Sequence, residues 1–213
     1  MRKVFWDDPY QSRLTTKVIS VSNNKVLFDE TIVFSFSGGQ ESDKAHINGL
    51  PVLYSVKEDN LIYYTLPEGH GLQSGDQVNM EIDWPRRYRL MRLHFAAELI
   101  LELITQKIGI EKIGAHIAET KARIDFVYDQ NISSVFDEIL SQYNDIIIQD
   151  YPIKTDFSDI ENQRRYWEIK GFSKVPCGGT HVKSTSEVGY VTLKRKNIGG
   201  GKERIEISLA DNS

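Results

Sequence analysis

The chain has a single cysteine, Cys177, in 213 residues. An internal disulfide is excluded, and nothing in the chain calls for an oxidising compartment. No run of about 18 apolar residues occurs, so no spanning helix is expected. The start, Met1-Arg-Lys-Val-Phe-Trp-Asp-Asp-Pro, lacks an apolar central region, and a secretion signal is not expected either. Repeats and low-complexity tracts are absent. Gly199-Gly200-Gly201-Lys202 lacks the spacing of a phosphate-binding loop and reads as a hairpin turn. Together these absences fit a protein of the reducing cytosol with no membrane partner.

Apolar residues make up 40% of the chain, enough for a packed core, and the length suits one large or two small domains. The part up to Ile82 reads as short strands: Leu14–Ser20 and Lys25–Phe28 around Asn23-Asn24, then Thr31–Phe36, Val52–Lys57, Leu61–Leu66 and Val78–Ile82. Such spacing predicts a small barrel or sandwich. Pro85 interrupts the pattern, placing a domain boundary near Asp83–Tyr88. Beyond it, Leu93, Ala96, Ala97, Ile100, Leu101, Ile104 and Ile108 recur with a helical period that Gly109 stops. A strand over Arg123–Tyr128 follows. A helix capped by Ser134, a strand from Ile146 and a helix from Thr155 to about Arg164 come next, the last with Asp156 and Asp159 at its N-terminus. Tyr166–Lys170, Tyr190–Lys196 and Glu203–Leu209 complete an α+β fold with helices on an antiparallel sheet.

Two pairs of chemically apt residues share one spacing. His94 and Glu98 lie four apart in the helical stretch, hence on one face. Cys177 and His181 lie four apart around Gly178-Gly179. Thiolate, imidazole and carboxylate are the donors zinc takes. Read alone, His94 and Glu98 with Glu102, Thr105 and Gln106 describe a solvated helix face, and Cys177 a small buried apolar residue. Pro176 and the glycine pair instead favour an open turn around a working thiolate.

The wider runs carry a family likeness. Pro176-Cys177-Gly178-Gly179-Thr180-His181-Val182, with Thr185, Glu187, Val188 and Gly189 after it, resembles the C-terminal metal motif of the alanyl-tRNA editing proteins, the AlaX family. Trp84-Pro85-Arg86-Arg87-Tyr88-Arg89-Leu90-Met91-Arg92-Leu93-His94 is similar to the approach to that family's metal helix. Trp6-Asp7-Asp8-Pro9-Tyr10 resembles its start, and Asp29–Phe34 leading into Gly38-Gly39-Gln40 resembles its glycine-rich motif. The likeness extends from about Phe5 to about Leu209, and the fold is shared with editing domains of alanyl- and threonyl-tRNA synthetases. It implies a small N-terminal β-barrel domain over 1–85 and a metal-binding α/β editing domain over 86–213. The implied activity is hydrolysis of serine, with glycine second, from mischarged alanine tRNA. The implied cofactor is zinc on His94, Glu98, Cys177 and His181. Thr31 matches the threonine placed to recognise the serine hydroxyl. Gly38, Gly39, Gln40, Arg92 and Thr180 are further candidates for substrate binding.

This chain departs from the family at two points. Ser37 stands where the glycine motif usually has a third glycine. Glu98 stands where the metal helix HxxxH has its second histidine. A thiolate and three histidines would leave zinc with net +1, whereas Glu98 brings the site to zero and weakens its pull on a carbonyl oxygen or a bound water. Glu98 is thus a ligand or, through water, a general base. The pocket then works with zinc, holds it more weakly, or works without it. An editing fold that binds tRNA without hydrolysis is the alternative function. Net charge is −4. Arg86, Arg87, Arg89 and Arg92, and Lys194, Arg195 and Lys196 with Lys202 and Arg204, nevertheless form local basic clusters suited to one acceptor end of tRNA. The sequence does not separate a monomer from a dimer.

Overall fold

The structure is a computed structural model and describes residues 1–210. The chain divides into two compact units. The first comprises Met1–Ser37 and Glu41–Tyr88, and the second Gly38–Gln40 together with the chain from Arg89 onward.

The first unit opens with strand β1 (Arg2–Lys3) and a single helical turn, α1 (Val4–Asp7); β1 pairs in parallel with β4 (Glu30–Thr31). Its main element is one curled, half-barrel sheet of seven strands. These are β2 (Arg13–Ser22), β3 (Lys25–Phe28), β5 (Ala45–Ile47), β6 (Leu50–Pro51), β7 (Tyr54–Glu58), β8 (Leu61–Thr65) and β9 (Gln77–Ile82). They lie in the order β6-β5-β9-β2-β3-β8-β7, so the sheet has edges at β6 and β7. Alternation in β9, where Val78, Met80 and Ile82 are buried between exposed neighbours, turns one face to a core that also holds Val18, Phe28, Ile47 and Tyr64. The strand expected over Thr31–Phe36 is only Glu30–Thr31 long. The backbone beyond it is held by side chains instead: Val33 N–H donates to Thr31 Oγ1, and Phe34 N–H donates to Asp43 Oδ2 at 2.7 Å.

Helix α2 (Trp84–Ile108) begins earlier than its apolar period suggests. Pro85 does not interrupt it, because a proline in the first turn lacks only an N–H that has no helical acceptor there. Arg87 ends up in the first unit's core. Its Nε donates to Asp43 Oδ1 at 2.8 Å, one terminal nitrogen to the Ile32 carbonyl at 2.6 Å and to Asp43 Oδ2, and the other to the Pro9 carbonyl at 3.0 Å. Arg86 pairs with Glu41 at 2.6 Å. Half of the first basic cluster is therefore buried structure and not phosphate-facing surface.

In the second unit, α2 is buried from Leu93 to Ile100, save for Glu98, which is half-buried. A helix segment enclosed on nearly every side lies inside a domain, its two polar residues included. Four antiparallel strands lie in the order β10-β11-β16-β15: β10 (Lys112–Ile117), β11 (Ala122–Val127), β15 (Val191–Gly199) and β16 (Lys202–Leu209). Gly199–Gly201 turn the β15–β16 hairpin as expected. Across these strands Arg195 pairs with Glu203 and Arg204 with Asp125, so the second basic cluster is partly spent on ion pairs. A second antiparallel sheet runs β12-β13-β14: β12 (Lys154–Asp159), β13 (Arg164–Ile169) and β14 (Ser173–Pro176). The short helix α4 (Thr185–Val188) precedes β15.

Three expectations fail here for physical reasons. The predicted helix from Thr155 is the β12–β13 hairpin. Burial alternates along Lys154–Asp159, and Asp159 accepts from Asn162 N–H at 3.0 Å, so its carboxylate closes a turn and caps no helix. The predicted strand from Ile146 is the end of helix α3 (Phe136–Gln149), whose buried face is Ile139, Tyr143, Ile146 and Ile147. Ser134 caps nothing: Asn131 accepts from Ser133 N–H at 3.0 Å and starts the 3-10 turn Ile132–Val135 that leads into α3. No helix among the described residues is long and apolar enough to cross a membrane.

Candidate metal centre

His94 sits mid-helix on α2 with only 3% of its surface exposed, too buried for a solvated face. The loop after β14 delivers the other donors. Cys177 N–H donates to the Arg165 carbonyl at 2.9 Å, which fixes the first residue past Pro176. The Cys177 sulfur then lies 3.4 Å from His94 Nε2, although 83 residues separate them. His181 stacks on His94 with ring centroids 5.0 Å apart, and Phe95 meets its edge at 5.7 Å.

The glycine pair has a steric cause on one side only. A Cβ on Gly179 would fall 2.0 Å from His94 Cε1, whereas Gly178 is open. Gln40 clamps the next residue at two points. Its Nε2 donates to Thr180 Oγ1 at 2.8 Å, and its Oε1 accepts from Thr180 N–H at 3.2 Å. The Thr180 carbonyl faces His94 Nδ1 at 3.3 Å. That contact takes the Nδ1 proton and leaves the Nε2 lone pair on the Cys177 side, the arrangement that orients a ligating imidazole. Gly39 belongs to the same construction. A Cβ there would meet the Ala115 carbonyl oxygen at 2.6 Å, and its own carbonyl accepts from Ile117 N–H at 2.8 Å. Gly38, at φ 62°, takes a left-handed turn.

His94, Cys177 and His181 each offer one donor atom, and these atoms lie within 4.8 Å of one another. Atoms bonded to one zinc at about 2.0–2.3 Å lie at most about 4.6 Å apart. Both ring nitrogens of His181 are buried with no hydrogen-bond partner. A buried imidazole bare at both nitrogens costs stability unless something else binds it. Donor chemistry, spacing and the bare imidazole all fit a divalent cation. Glu98 lies beside this triad: Oε1 is 3.5 Å from His94 Nε2 and 3.8 Å from the sulfur, and Oε2 accepts from Trp167 Nε1 at 3.0 Å.

Burial opposes charge on His94, yet Cys177 and Glu98 outweigh it and lift the imidazole to about 10. Burial also opposes charge on Glu98, but the His94 contact and the Trp167 bond bring its carboxyl down to about 2. His181 is pushed well below the usual imidazole range, first by burial and then by the His94 charge. A cation at this point competes with a proton for the His94 lone pair.

The remaining candidates fall in different places. Arg92 Nε donates to the Val188 carbonyl at 3.1 Å, and a Cβ on Gly189 would come within 2.8 Å of its guanidinium. Thr31 lies in the first unit, fully buried, with Oγ1 2.7 Å from Tyr64 Oη and 3.0 Å from Val33 N. Nothing local in the sequence marks Trp167, since a carboxylate-holding indole looks there like any core tryptophan.

Over 98% of its length the chain is 34% identical to the alanyl-tRNA editing protein AlaX-M of Pyrococcus horikoshii, of which it covers 97%. The chain belongs to the alanyl-tRNA editing protein family. Residues 165–206 match the threonyl and alanyl tRNA synthetase second additional domain. That stretch includes Cys177 and His181. Alanine–tRNA ligases of Methanococcus maripaludis and Staphylothermus marinus are 30% and 31% identical over 96% of the chain. The chain spans about a quarter of the length of those ligases, 25% in each case.

Proposed function

We propose that the chain hydrolyses the ester between a wrongly attached serine, with glycine second, and the terminal ribose of alanine tRNA, acting in trans. Alanyl-tRNA editing proteins are hydrolases of mischarged tRNA, and this chain is a member of the family. The observation that carries the reading is the meeting of His94, Cys177 and His181 at one largely buried point, in a chain that matches an alanyl-tRNA editing protein over nearly its whole length. Residues 86–213 form the editing domain in this reading, and 1–85 the accessory domain with the selectivity residue Thr31.

An aminoacyl ester is already activated, so the protein's task is to orient it and to stabilise the developing oxyanion. His94, Cys177 and His181 would hold a zinc ion, which would supply positive charge to polarise an ester carbonyl or acidify a water. The Thr180 carbonyl keeps the His94 ring turned toward Cys177. Gln40 fixes that carbonyl in turn by holding the Thr180 side chain and amide.

Serine exceeds alanine by one hydroxyl. Tyr64 donates its own proton to the Val33 carbonyl at 2.8 Å, so the Thr31 hydroxyl donates to Tyr64 while accepting from Val33 N–H. One Thr31 lone pair remains to accept from a substrate hydroxyl. Alanine leaves it unpaired, which is the basis of strong discrimination. Thr31→Val should lower the serine-over-alanine ratio of kcat/KM by about 5- to 150-fold, the factor carried by about 1–3 kcal/mol. Deacylation of serine-charged and alanine-charged alanine tRNA tests both claims. General damage lowers both rates together, so an unchanged ratio removes Thr31 from the argument. A protein that binds the tRNA and hydrolyses neither ester overturns the proposed activity.

A further inference from the structure

The Glu98 carboxylate beside the cluster has a hydrogen-bond partner 69 residues away in the chain. We infer that Trp167 is the positioning residue that makes Glu98 a working cation ligand, by holding one carboxylate oxygen and presenting the other to the His94–Cys177–His181 cluster. The inference rests on the proposal that this cluster binds a divalent cation.

Glu98 Oε2 accepts from Trp167 Nε1 at 3.0 Å. Glu98 Oε1 lies on the other side, 3.5 Å from His94 Nε2 and 3.8 Å from the Cys177 sulfur. A carboxylate can bind a cation through one oxygen or both. With Oε2 turned to the indole, Oε1 is the oxygen that faces the cluster, so Glu98 contributes a single oxygen as an imidazole contributes a single nitrogen. Trp167 cannot swing away. It is fully buried, its ring meets Phe95 edge-on at 5.1 Å, and its backbone lies in β13, paired to β12 and β14. Phe95 directly follows His94 on α2, so the same helix carries both ligands and the ring that braces the indole. The indole N–H is a donor only and cannot compete for the cation. Outer hydrogen bonds of this kind commonly set the orientation of ligating side chains. The chain thus carries a carboxylate at this helix position together with the donor a carboxylate needs and a histidine would not use.

Titration of the purified protein with Co(II), a visible reporter for zinc, against a competing chelator tests this. The wild type should bind one ion per chain. Trp167→Phe keeps the ring that packs on Phe95 and removes only the N–H. Its Co(II) affinity should fall by about 10- to 100-fold, the usual loss for an outer-shell partner, with a shifted ligand-field spectrum. In a Glu98→Ala background the same change should have no further effect on affinity. An equal loss in both backgrounds makes Trp167 a packing residue, and no loss in either removes it from the site. The wild-type infrared carboxylate bands, which need no variant at Trp167, should change on metal binding to a one-oxygen pattern that Glu98→Gln lacks. A two-oxygen pattern overturns the inference while leaving the metal site standing. A wild type that binds no Co(II) overturns the metal site itself.

Discussion

Cys177→Ala should lose bound metal and deacylase activity together. Loss of an outer-shell partner alone costs about 10- to 100-fold in affinity, so removing a ligand should cost more than about 100-fold. His181→Phe should do the same with an informative difference in stability. Both His181 ring nitrogens are buried and neither has a hydrogen-bond partner from the protein. A phenyl ring removes that penalty, of the order of 1–3 kcal/mol for a buried unsatisfied group. The metal-free variant should therefore melt no lower than the metal-free wild type, while the metal-dependent rise in Tm disappears. A side chain that costs stability until its ligand arrives is one retained for function. A His181→Phe variant that melts lower without metal would assign His181 to packing.

Arg87→Leu should destabilise the protein by about 3–5 kcal/mol, the cost of stranding a buried charge. Asp43 lies under it with 1% of its side chain exposed. The guanidinium also ties down the Ile32 and Pro9 carbonyls, so one substitution strands a carboxylate and two backbone acceptors. Arg87→Lys should recover little, because a single ammonium cannot reproduce the planar fork. Removing both charges, as Arg87→Leu with Asp43→Leu, should cost less than Arg87→Leu alone. Chemical denaturation measures all three. A loss under 1 kcal/mol for the single variant would return Arg87 to the solvent-facing basic cluster that its sequence context suggests.

Arg87 also shows where sequence and structure part. Four arginines in seven positions look like a phosphate-binding surface, because charge is visible in a sequence and a buried carboxylate partner 44 residues away is not. The grouping of His94, Cys177 and His181 is legible for the opposite reason. Cysteine, histidine and glycine around a tight turn restrict one another locally, and the His94–Glu98 spacing fixes a shared helix face whatever surrounds it. What surrounds it is not legible: Thr105 and Gln106 do face solvent, yet earlier on the same side His94 is buried and Glu98 half-buried. The glycine pair reads as an open turn, whereas the demand comes from Gly179 lying against the His94 ring. In the β12–β13 hairpin, aspartates that favour a helix start equally favour a turn, and long-range strand pairing decided between them. Trp167 had no local signal, since its significance depends on a carboxylate 69 residues away.

The most direct test is metal analysis of the wild-type protein coupled to deacylation of serine-charged alanine tRNA, before and after chelation. One divalent ion per chain, with hydrolysis that stops on its removal and returns on its restoration, is the predicted result. Full-rate hydrolysis by protein stripped of metal would contradict the account.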